Sequence, residues 1–375
     1  HGGTAFSYWL GDATAAYAGR LQRFHRHILH VPPEHFLIID DLAAPAPQRF
    51  QWLLHSMDQP EIRADDRAVI LRKGAARLAV QHLMPAELTQ TQTDDFGVPP
   101  ENRGTYRRQW HYTAETVATA PTARWATLLR ASQGPAEPAL TPATAEPGTD
   151  AVGVKARLDT SSLAAAVATD PAAETTAAGL TFVGRAAACD LDEAAADPRA
   201  GLQRYLLVQG RSLRRGALTL VEADGAVSVS VGRTGSGLRA DLSAAQDTAV
   251  ELLLPSAPGV VETAIPWSYD AASGRLRLRL SAGTSAVVIR PAATPLPVPA
   301  VSLALGEAPP RTTWEHAESV HLDTVVWGDV VATPGVYRLQ RTGPGRVWFD
   351  RQEAADGDEV LLSATNHLLV EWPAD

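Results

Sequence analysis

The sequence predicts an all-β fold, an antiparallel β-sandwich with a small appended C-terminal β-domain. The first observation is the stretch 26–55, where the apolar runs HILHV, FLIIDDL and FQWLLH are separated by Pro-containing turns. Runs of this kind are strand signals, and turns this short leave no room for a helical crossover, so an antiparallel meander is expected. The second observation is the series of strand-like runs with Gly-containing turns in 201–290, and the third is a separate strand pattern in 301–375.

Composition narrows the class of protein. The chain has 375 residues, 45% of them hydrophobic, which permits a substantial core and predicts two or three domains. The formal net charge of −9 argues against nucleic acid or an anionic membrane as a partner. Cys189 is the only cysteine, so no intrachain disulfide is expected, and no apolar run is long enough to predict a membrane span. The chain starts at His1 without an initiator Met or a signal peptide, so we expect a processed or truncated protein.

The sequence divides into four regions. We expect residues 1–130 to form the first part of the sandwich and residues 201–290 the second part. Residues 131–200 start with ASQGPAEPALTPATAEPGTD and continue as an Ala-rich segment without a clear period. We interpret them as a Pro/Ala-rich linker or insertion, in which TSSLAAAVATD forms a short helix or low-complexity chain. Residues 301–375 follow a second Pro-rich linker and form the small C-terminal β-domain.

Three histidines lie close together near the N-terminus, after a first strand at residues 6–10. His25, His27 and His30 can be interpreted as part of a metal site, as the polar face of a strand, or as a polar, cationic face beside a binding groove. In a strand, His25 and His27 share one face and His30 lies on the other. No Asp or Cys completes a set of ligands at a familiar interval. The sequence therefore favours the polar strand face and predicts no metal and no cofactor.

Two further polar features follow in the meander. Asp40 and Asp41 come after FLII, and paired carboxylates can serve acid–base chemistry. Asp at the end of a strand is also typical of a turn cap, which we favour here. His55 ends FQWLLH and shares a strand face with Gln51 and Leu53. It is either a histidine at the edge of the core, bonded to the backbone, or part of a binding groove.

Two features of the second half have structural interpretations. Cys189 lies in AAACDL with no His nearby in sequence, so we interpret it as a buried structural thiol. Arg275, Arg277 and Arg279 alternate with leucines, which places the three guanidinium groups on one solvent face of a strand.

The order of several segments carries a resemblance. GDATAAY, ILHVPPEHFLIIDDL, FQWLLH, TDDFGVPP and QWHYTAET together resemble the C-terminal β-sandwich region of heparinase II/III-like polysaccharide lyases. The resemblance covers residues 1–130 well and extends to about residue 290 only as general β character. It implies an antiparallel β-sandwich of heparinase II/III-like type, packed on an N-terminal (α/α) toroid with the substrate in the groove between them. It also implies β-elimination at a uronic acid, with the carboxylate neutralised, a base removing the C5 proton, and an acid, usually Tyr, protonating the leaving oxygen.

The sequence also departs from that family. The toroid, which carries the usual catalytic Tyr and Asn or His, is absent from these 375 residues, as are the HxHxD-type and HNT-type segments that supply zinc ligands in some relatives. No catalytic or metal-binding residue carries over, and we expect this chain alone to be inactive. The implied partners are an acidic polysaccharide and an upstream toroid domain or chain, in an extracellular or periplasmic location. A second hypothesis is a non-catalytic carbohydrate-binding or structural β-protein, which an upstream toroid in the encoding gene would argue against.

Residues 89–112 supply the predicted binding residues. TQTQTDDFGVPPENRGTYRRQWHY has no apolar period, so we expect a long loop, and long loops in compact domains are usually functional or disordered. Its aromatic rings can stack on sugars and its Arg side chains can bind carboxylate or sulfate. The predicted substrate-binding residues are His55, Tyr106, Arg107, Trp110 and His111. In the alternative, Trp110 and Tyr112 begin a strand and pack inward while the Arg side chains are solvated.

Overall fold

The fold is all-β, as predicted. The computed structural model describes residues 1–95, 109–134, 139–148, 150–234, 237–291, 300–304, 324–331, 335–343, 345–349, 352–362 and 365–372. Within them the regular elements are strands, apart from a single 3-10 turn at Thr14–Tyr17. No helix in the described part of the chain has the length and apolar character needed to cross a membrane.

The first ten strands form two antiparallel sheets. They are β1 Ser7–Asp12, β2 Arg23–Val31, β3 His35–Gln48, β4 Gln51–Ser56, β5 Glu61–Arg63, β6 Ala68–Lys73, β7 Ala76–Met84, β8 Leu88–Thr93, β9 Trp110–Thr116 and β10 Ala120–Gln133. Seven of them pair in the order β1-β2-β3-β10-β7-β6-β5, and the other three form a small sheet in the order β4-β9-β8. The stretch 26–55 thus supplies β2, β3 and β4. Strand β2 pairs with β3 as the predicted meander requires, but β4 pairs with β9 in the small sheet, so the prediction of β4 as the third strand of the meander is wrong.

The next fourteen strands form one large sheet. They are β11 Ala143–Pro147, β12 Ala151–Arg157, β13 Ser162–Ala168, β14 Glu174–Ala177, β15 Leu180–Val183, β16 Ala186–Leu191, β17 Leu202–Arg215, β18 Leu218–Thr234, β19 Gly237–Ala244, β20 Thr248–Leu253, β21 Pro258–Glu262, β22 Trp267–Asp270, β23 Arg275–Leu280 and β24 Gly283–Pro291. The main path runs β11-β12-β13-β16-β17-β18-β19-β24-β21, and the remaining strands branch from it.

The last seven strands form two further small sheets. They are β25 Ala300–Ala304, β26 Thr324–Val331, β27 Gly335–Thr342, β28 Arg346–Phe349, β29 Gln352–Ala354, β30 Glu359–Leu362 and β31 Thr365–Trp372. One sheet has the order β25-β27-β30 and the other the order β26-β31-β28-β29. Strand β25 pairs with β27 in parallel, unlike the antiparallel pairs of the first 24 strands. The division of the chain into domains stays a prediction.

The seven-stranded and fourteen-stranded sheets pack face to face. Their shared core joins Leu37 and Leu128 of the first sheet to Val154, Ala165 and Leu206 of the second. All five side chains are buried, which is the packing expected of two sheets in a sandwich.

The other face of the seven-stranded sheet is covered by the three-stranded sheet. Trp52 of β4 and Tyr112 of β9 pack in a second core with Val80 of β7 and Trp125 of β10. Strand β10 therefore buries side chains on both of its faces, Leu128 on one and Trp125 on the other.

Residues 151–191, interpreted from the sequence as part of a linker, with a short helix or low-complexity chain at TSSLAAAVATD, are strands of the large sheet. On β13, Ala165 faces the sandwich core, whereas Ala164 and Ala166 face a third core on the opposite side of the sheet. A strand buried on both faces has no apolar–polar alternation, so the pattern that identifies half-buried strands is missing here. Cys189 of β16 also lies in the third core, where burial raises the pKa of its thiol to about 11.

Candidate functional site

The three-stranded sheet brings two of the predicted residues together. In the register of β4 and β9, His55 lies directly opposite His111, and Ser56 lies opposite Trp110. The two imidazole rings have centroids 4.4 Å apart and planes inclined by 50°. Thr93 of β8 extends the same row, because it lies opposite His111 on the other side.

The His55–His111 row belongs to the outer face of this sheet. Cross-strand register places three rows on that face, each with one residue from β4, β9 and β8. The rows are Gln51–Glu115–Thr89, Leu53–Thr113–Thr91 and His55–His111–Thr93. The β4 and β8 members are exposed, Leu53 by 58%, and the β9 members are half-buried between them. The outer face therefore combines hydroxyl, amide and imidazole groups with the Glu115 carboxylate in the row farthest from the histidines and the exposed Leu53 side chain in the middle row.

The opposite face of the same sheet is fixed by a buried polar network. His82 of β7 lies within 3.1 Å of Thr127 Oγ1 through Nδ1 and within 3.1 Å of Tyr112 OH through Nε2. Gln90 Nε2 donates to the same Tyr112 oxygen at 2.7 Å. The edges of Trp52 and Trp125 pack against His82.

Burial sets the protonation of this network. It lowers the pKa of His82 to about 4 and raises the pKa of Tyr112 to about 12, so both groups are neutral near pH 7. A neutral imidazole has one N–H, so only one of the two His82 nitrogens donates. The network joins β9 to β7 and β10. Because His111 is adjacent to Tyr112 on β9, the network also fixes the position of His111. It thereby positions His111 beside His55.

The other predicted substrate-binding residues have different placements. Trp110 begins β9 and is half-buried. Tyr106 and Arg107 lie outside the described residues. Both ends of the expected loop 89–112 are strands, since β8 ends at Thr93 and β9 starts at Trp110. The Thr-Gln alternation of β8 was not recognised as a strand because its outer face is polar and its inner face holds Gln90 and Gln92 rather than apolar residues.

The alternatives left open from the sequence are resolved for two residues. Tyr112 is fully buried and packs inward, as the alternative interpretation of this segment expected. His55 is exposed on the outer face, so the interpretation as a backbone-bonded histidine at the edge of the core is wrong.

The three N-terminal histidines lie in three different environments. His27 is buried with its Nδ1 2.7 Å from Tyr8 OH, and His30 stacks on Phe36 with centroids 4.4 Å apart. His25 lies at the surface, where its Nε2 is 3.7 Å from Asp12 Oδ2. Among the residues that the structure describes, no group of three or more His, Cys, Asp or Glu side chains is arranged to hold a metal ion.

Asp40 and Asp41 are not turn caps, because β3 continues through them to Gln48. Asp40 is 2% exposed and accepts two hydrogen bonds of 2.7 Å from Arg26 on the paired strand. Asp41 faces the other side of the sheet and pairs with Arg23 at 2.7 Å. Sequence analysis missed these two ion pairs, although the repeated Arg in RFHRH and the Asp pair in IIDDL are a signal for cross-strand pairing.

Comparison with known proteins gives a limited result. No protein-family model and no curated protein matches this chain. Among solved structures, it is similar to the Streptomyces coelicolor A3 chondroitin AC lyase in complex with chondroitin sulphate, with 12% identity over 76% of this chain and 35% of that one, and a TM-score of 0.41. It is also similar to a Paenibacillus xanthan lyase, with 9% identity over 95% of this chain and 39% of that one, and a TM-score of 0.39. The chain thus spans less than half the length of these two polysaccharide lyases.

Proposed function

We propose that this chain is the β-sandwich portion of a polysaccharide lyase that cleaves uronic-acid-containing glycans by β-elimination, with the catalytic toroid outside the chain. The observation that supports this proposal most is the pairing of His55 and His111 on an exposed polar face. These residues come from FQWLLH and QWHYTAET, two separate segments of the resemblance to heparinase II/III-like lyases. Two segments that share a substrate groove should meet in the fold, and these two do.

The outer face of the three-stranded sheet has the chemistry needed to hold an acidic glycan. Imidazole N–H groups of His55 and His111 can donate to a uronate carboxylate, and the Thr93 hydroxyl of the same row can bond to a sugar hydroxyl. Trp110 is half-buried and shares the strand face of Tyr112 rather than that of His111, so in the proposal it contacts a sugar ring only from the end of β9 and not on the outer face. In the proposal, Arg107 and Tyr106, which lie outside the described residues, also contact the glycan, Arg107 through its carboxylate-binding fork and Tyr106 through its ring.

The proposed division of labour leaves proton transfer to the toroid. β-Elimination requires a positioned base and a positioned acid. The tyrosine adjacent to His111 is Tyr112, which is fully buried and bonded to Gln90. Burial raises the pKa of this phenol to about 12 and separates it from solvent. It therefore cannot protonate a leaving oxygen on a bound polymer. We therefore assign substrate contact, rather than proton transfer, to this face. The proposal also includes an extracellular or periplasmic location for the protein.

A binding measurement tests this role. We expect His55→Ala and His111→Ala together to weaken binding of heparan sulfate or alginate by about tenfold, which is about 1.4 kcal/mol. The matched control is Thr89→Ala, which lies on the same face but two rows away, about 13 Å along the strand. It should change affinity little. His55 is exposed, so His55→Ala alone should leave the melting temperature almost unchanged.

Two outcomes would contradict the role. Equal affinities of the double variant and the native chain would show that the histidine pair is not part of the binding surface. Equal losses in the double variant and in Thr89→Ala would show that the contact is not localised at the histidine row.

A further inference from the structure

An exposed aromatic surface lies on the outer side of the seven-stranded sheet, beside the part that the three-stranded sheet covers. Trp9 of β1 is 50% exposed, and Tyr17 of the 3-10 turn is 42% exposed. Strand β2 adds Phe24 and Arg26, and β1 adds Gly11. We call these five residues the aromatic strip. Single exposed apolar side chains are ordinary, but exposed apolar groups that lie together mark an interaction site.

Strand register and ring contacts bring the strip together. Gly11 lies opposite Arg26 in the pairing of β1 with β2, and Trp9, two residues before Gly11, shares their face. The Tyr17 ring packs on Phe24 with centroids 5.4 Å apart, and Arg26 Cζ lies 5.6 Å from the centre of the same Phe24 ring. Phe24 also packs against the core beneath the three-stranded sheet. The strip therefore lies on the same side of the seven-stranded sheet as that small sheet with its histidine row.

Gly11 leaves an opening over Arg26, with Trp9 on one side and Tyr17 on the other. Apart from its neighbours in the chain, no described atom lies within 4 Å of the position that a side-chain carbon of Gly11 would take. The Arg26 side chain is 37% exposed and binds Asp40 through Nε and Nη2, both at 2.7 Å. Its Nη1 forms no hydrogen bond with any residue that the structure describes. The opening thus combines an available N–H donor with two aromatic rings, and Asp40 balances the charge of the guanidinium.

A sugar ring matches this combination of groups. Its C–H faces can stack on aromatic rings, and its hydroxyl oxygens can accept from a guanidinium N–H. The apolar centre of a protein contact would fit less well, because it would take Arg26 Nη1 out of water without supplying an acceptor. We propose that the aromatic strip binds a pyranose unit of a glycan, with the ring stacked on Trp9 and a hydroxyl oxygen accepting from Arg26 Nη1. Because Asp40 pairs with Arg26, this recognition does not require a charged sugar.

Calorimetric titration of the 375-residue chain with cellotetraose, an uncharged chain of pyranose rings, tests the proposal. We expect binding that Trp9→Ala weakens by about fivefold or more, because the stacked ring is lost. Gly11→Leu should weaken binding as much, because its side chain fills the opening over Arg26. Val260→Ala is the matched control and should bind as the native chain does, because Val260 is 46% exposed on the large sheet, outside the strip. Trp9 and Gly11 are exposed, so the melting temperatures of their variants should stay close to that of the native chain.

The outcomes distinguish a sugar site from other roles of the strip. Cellotetraose binding that is weakened in Trp9→Ala and in Gly11→Leu, and kept in Val260→Ala, supports the site. No binding of cellotetraose, or binding that either strip variant leaves unchanged, would overturn the proposal. Self-association of the native chain in sedimentation that Trp9→Ala abolishes would also overturn it, because the strip would then be a protein contact. The variant with His55→Ala and His111→Ala should bind cellotetraose normally, so this site can fail independently of the acidic-glycan role.

Discussion

At the scale of single residues, His82 is the group whose protonation matters most for the site. It is fully buried between the seven-stranded and three-stranded sheets and bonds to Thr127 and Tyr112. Burial lowers its pKa from 6.5 to about 4. Because the folded pKa lies below the unfolded value, the unfolded chain binds the additional proton. The contribution of neutral His82 to the free energy of unfolding is therefore complete above about pH 6.5 and is lost progressively as the pH falls towards 4.

We predict that His82→Gln makes the free energy of unfolding less dependent on pH across this window. The full shift corresponds to on the order of 3 kcal/mol as an upper limit. Urea unfolding of both proteins at several pH values measures the slope, which is independent of any constant loss of stability in the variant. His27, whose pKa burial also lowers to about 4, keeps part of the slope in both proteins. If the free energy of unfolding had the same pH dependence in the native chain and in His82→Gln, a neutral, buried His82 would be contradicted. His55→Gln, at an exposed position, is the control and should leave this pH dependence unchanged.

The Arg26–Asp40 pair gives a second prediction at this scale. Asp40 is 2% exposed and holds two hydrogen bonds from Arg26, so Arg26→Ala would leave a buried carboxylate without its partner. We expect a loss of about 3 kcal/mol in the free energy of unfolding. Arg23→Ala removes the neighbouring, more exposed pair with Asp41 and should cost less than about 1 kcal/mol.

Denaturant unfolding of the two single variants and of the double variant Arg26→Met with Asp40→Leu completes the comparison. The double variant should recover part of the loss, because the unpaired buried charge is gone. Equal losses in Arg26→Ala and Arg23→Ala would show that the Asp40 pair is no more important than a surface pair.

The sequence indicates His55 and His111 as candidate contacts but does not predict that they lie opposite each other. Residue type and local pattern were sufficient to place both among candidate contacts. Their pairing depends on the register between β4 and β9, which is set by the packing of Trp52 and Tyr112 against His82. That packing joins segments distant in sequence, so no local pattern contains it.

At the scale of elements, strand recognition from the sequence depended on how many faces each strand buries. Strands such as β23 bury one face, and the alternation of leucines with Arg275, Arg277 and Arg279 identified the solvent face correctly. Strands β13 and β16 bury both faces with mostly small residues, so they lack alternation. Strand β8 has polar residues on both faces, so it lacks an apolar period altogether.

The two-faced burial of β13 can be tested by enlarging one side chain. Ala166 is 2% exposed in the third core, so Ala166→Leu should overpack it and lower the free energy of unfolding by about 1–3 kcal/mol. Ala173→Leu, at an exposed turn position, should have almost no effect in the same urea titration. A neutral Ala166→Leu would contradict a core that is closely packed on this side of the sheet.

At the scale of the whole molecule, the sandwich supports the proposed binding face through two buried cores. The fourteen-stranded sheet supports the seven-stranded sheet through one core, and the seven-stranded sheet supports the three-stranded sheet through another. The outer face of the three-stranded sheet is therefore the last of three layers, with its polar rows held on a packed interior. Such support suits a groove wall, because contacts that are held in place before binding lose less conformational entropy when a polymer binds.

The most direct test of the proposed function is an assay of β-elimination, followed by the ultraviolet absorbance of the unsaturated uronate product. Heparan sulfate, alginate and hyaluronan are each offered to this chain alone and to the product of the complete reading frame that encodes it. We predict turnover of at least one substrate by the complete product, reduced by His55→Ala with His111→Ala, and no turnover by this chain alone. Robust turnover by the chain alone, or a complete product that cleaves none of these acidic glycans, would contradict it.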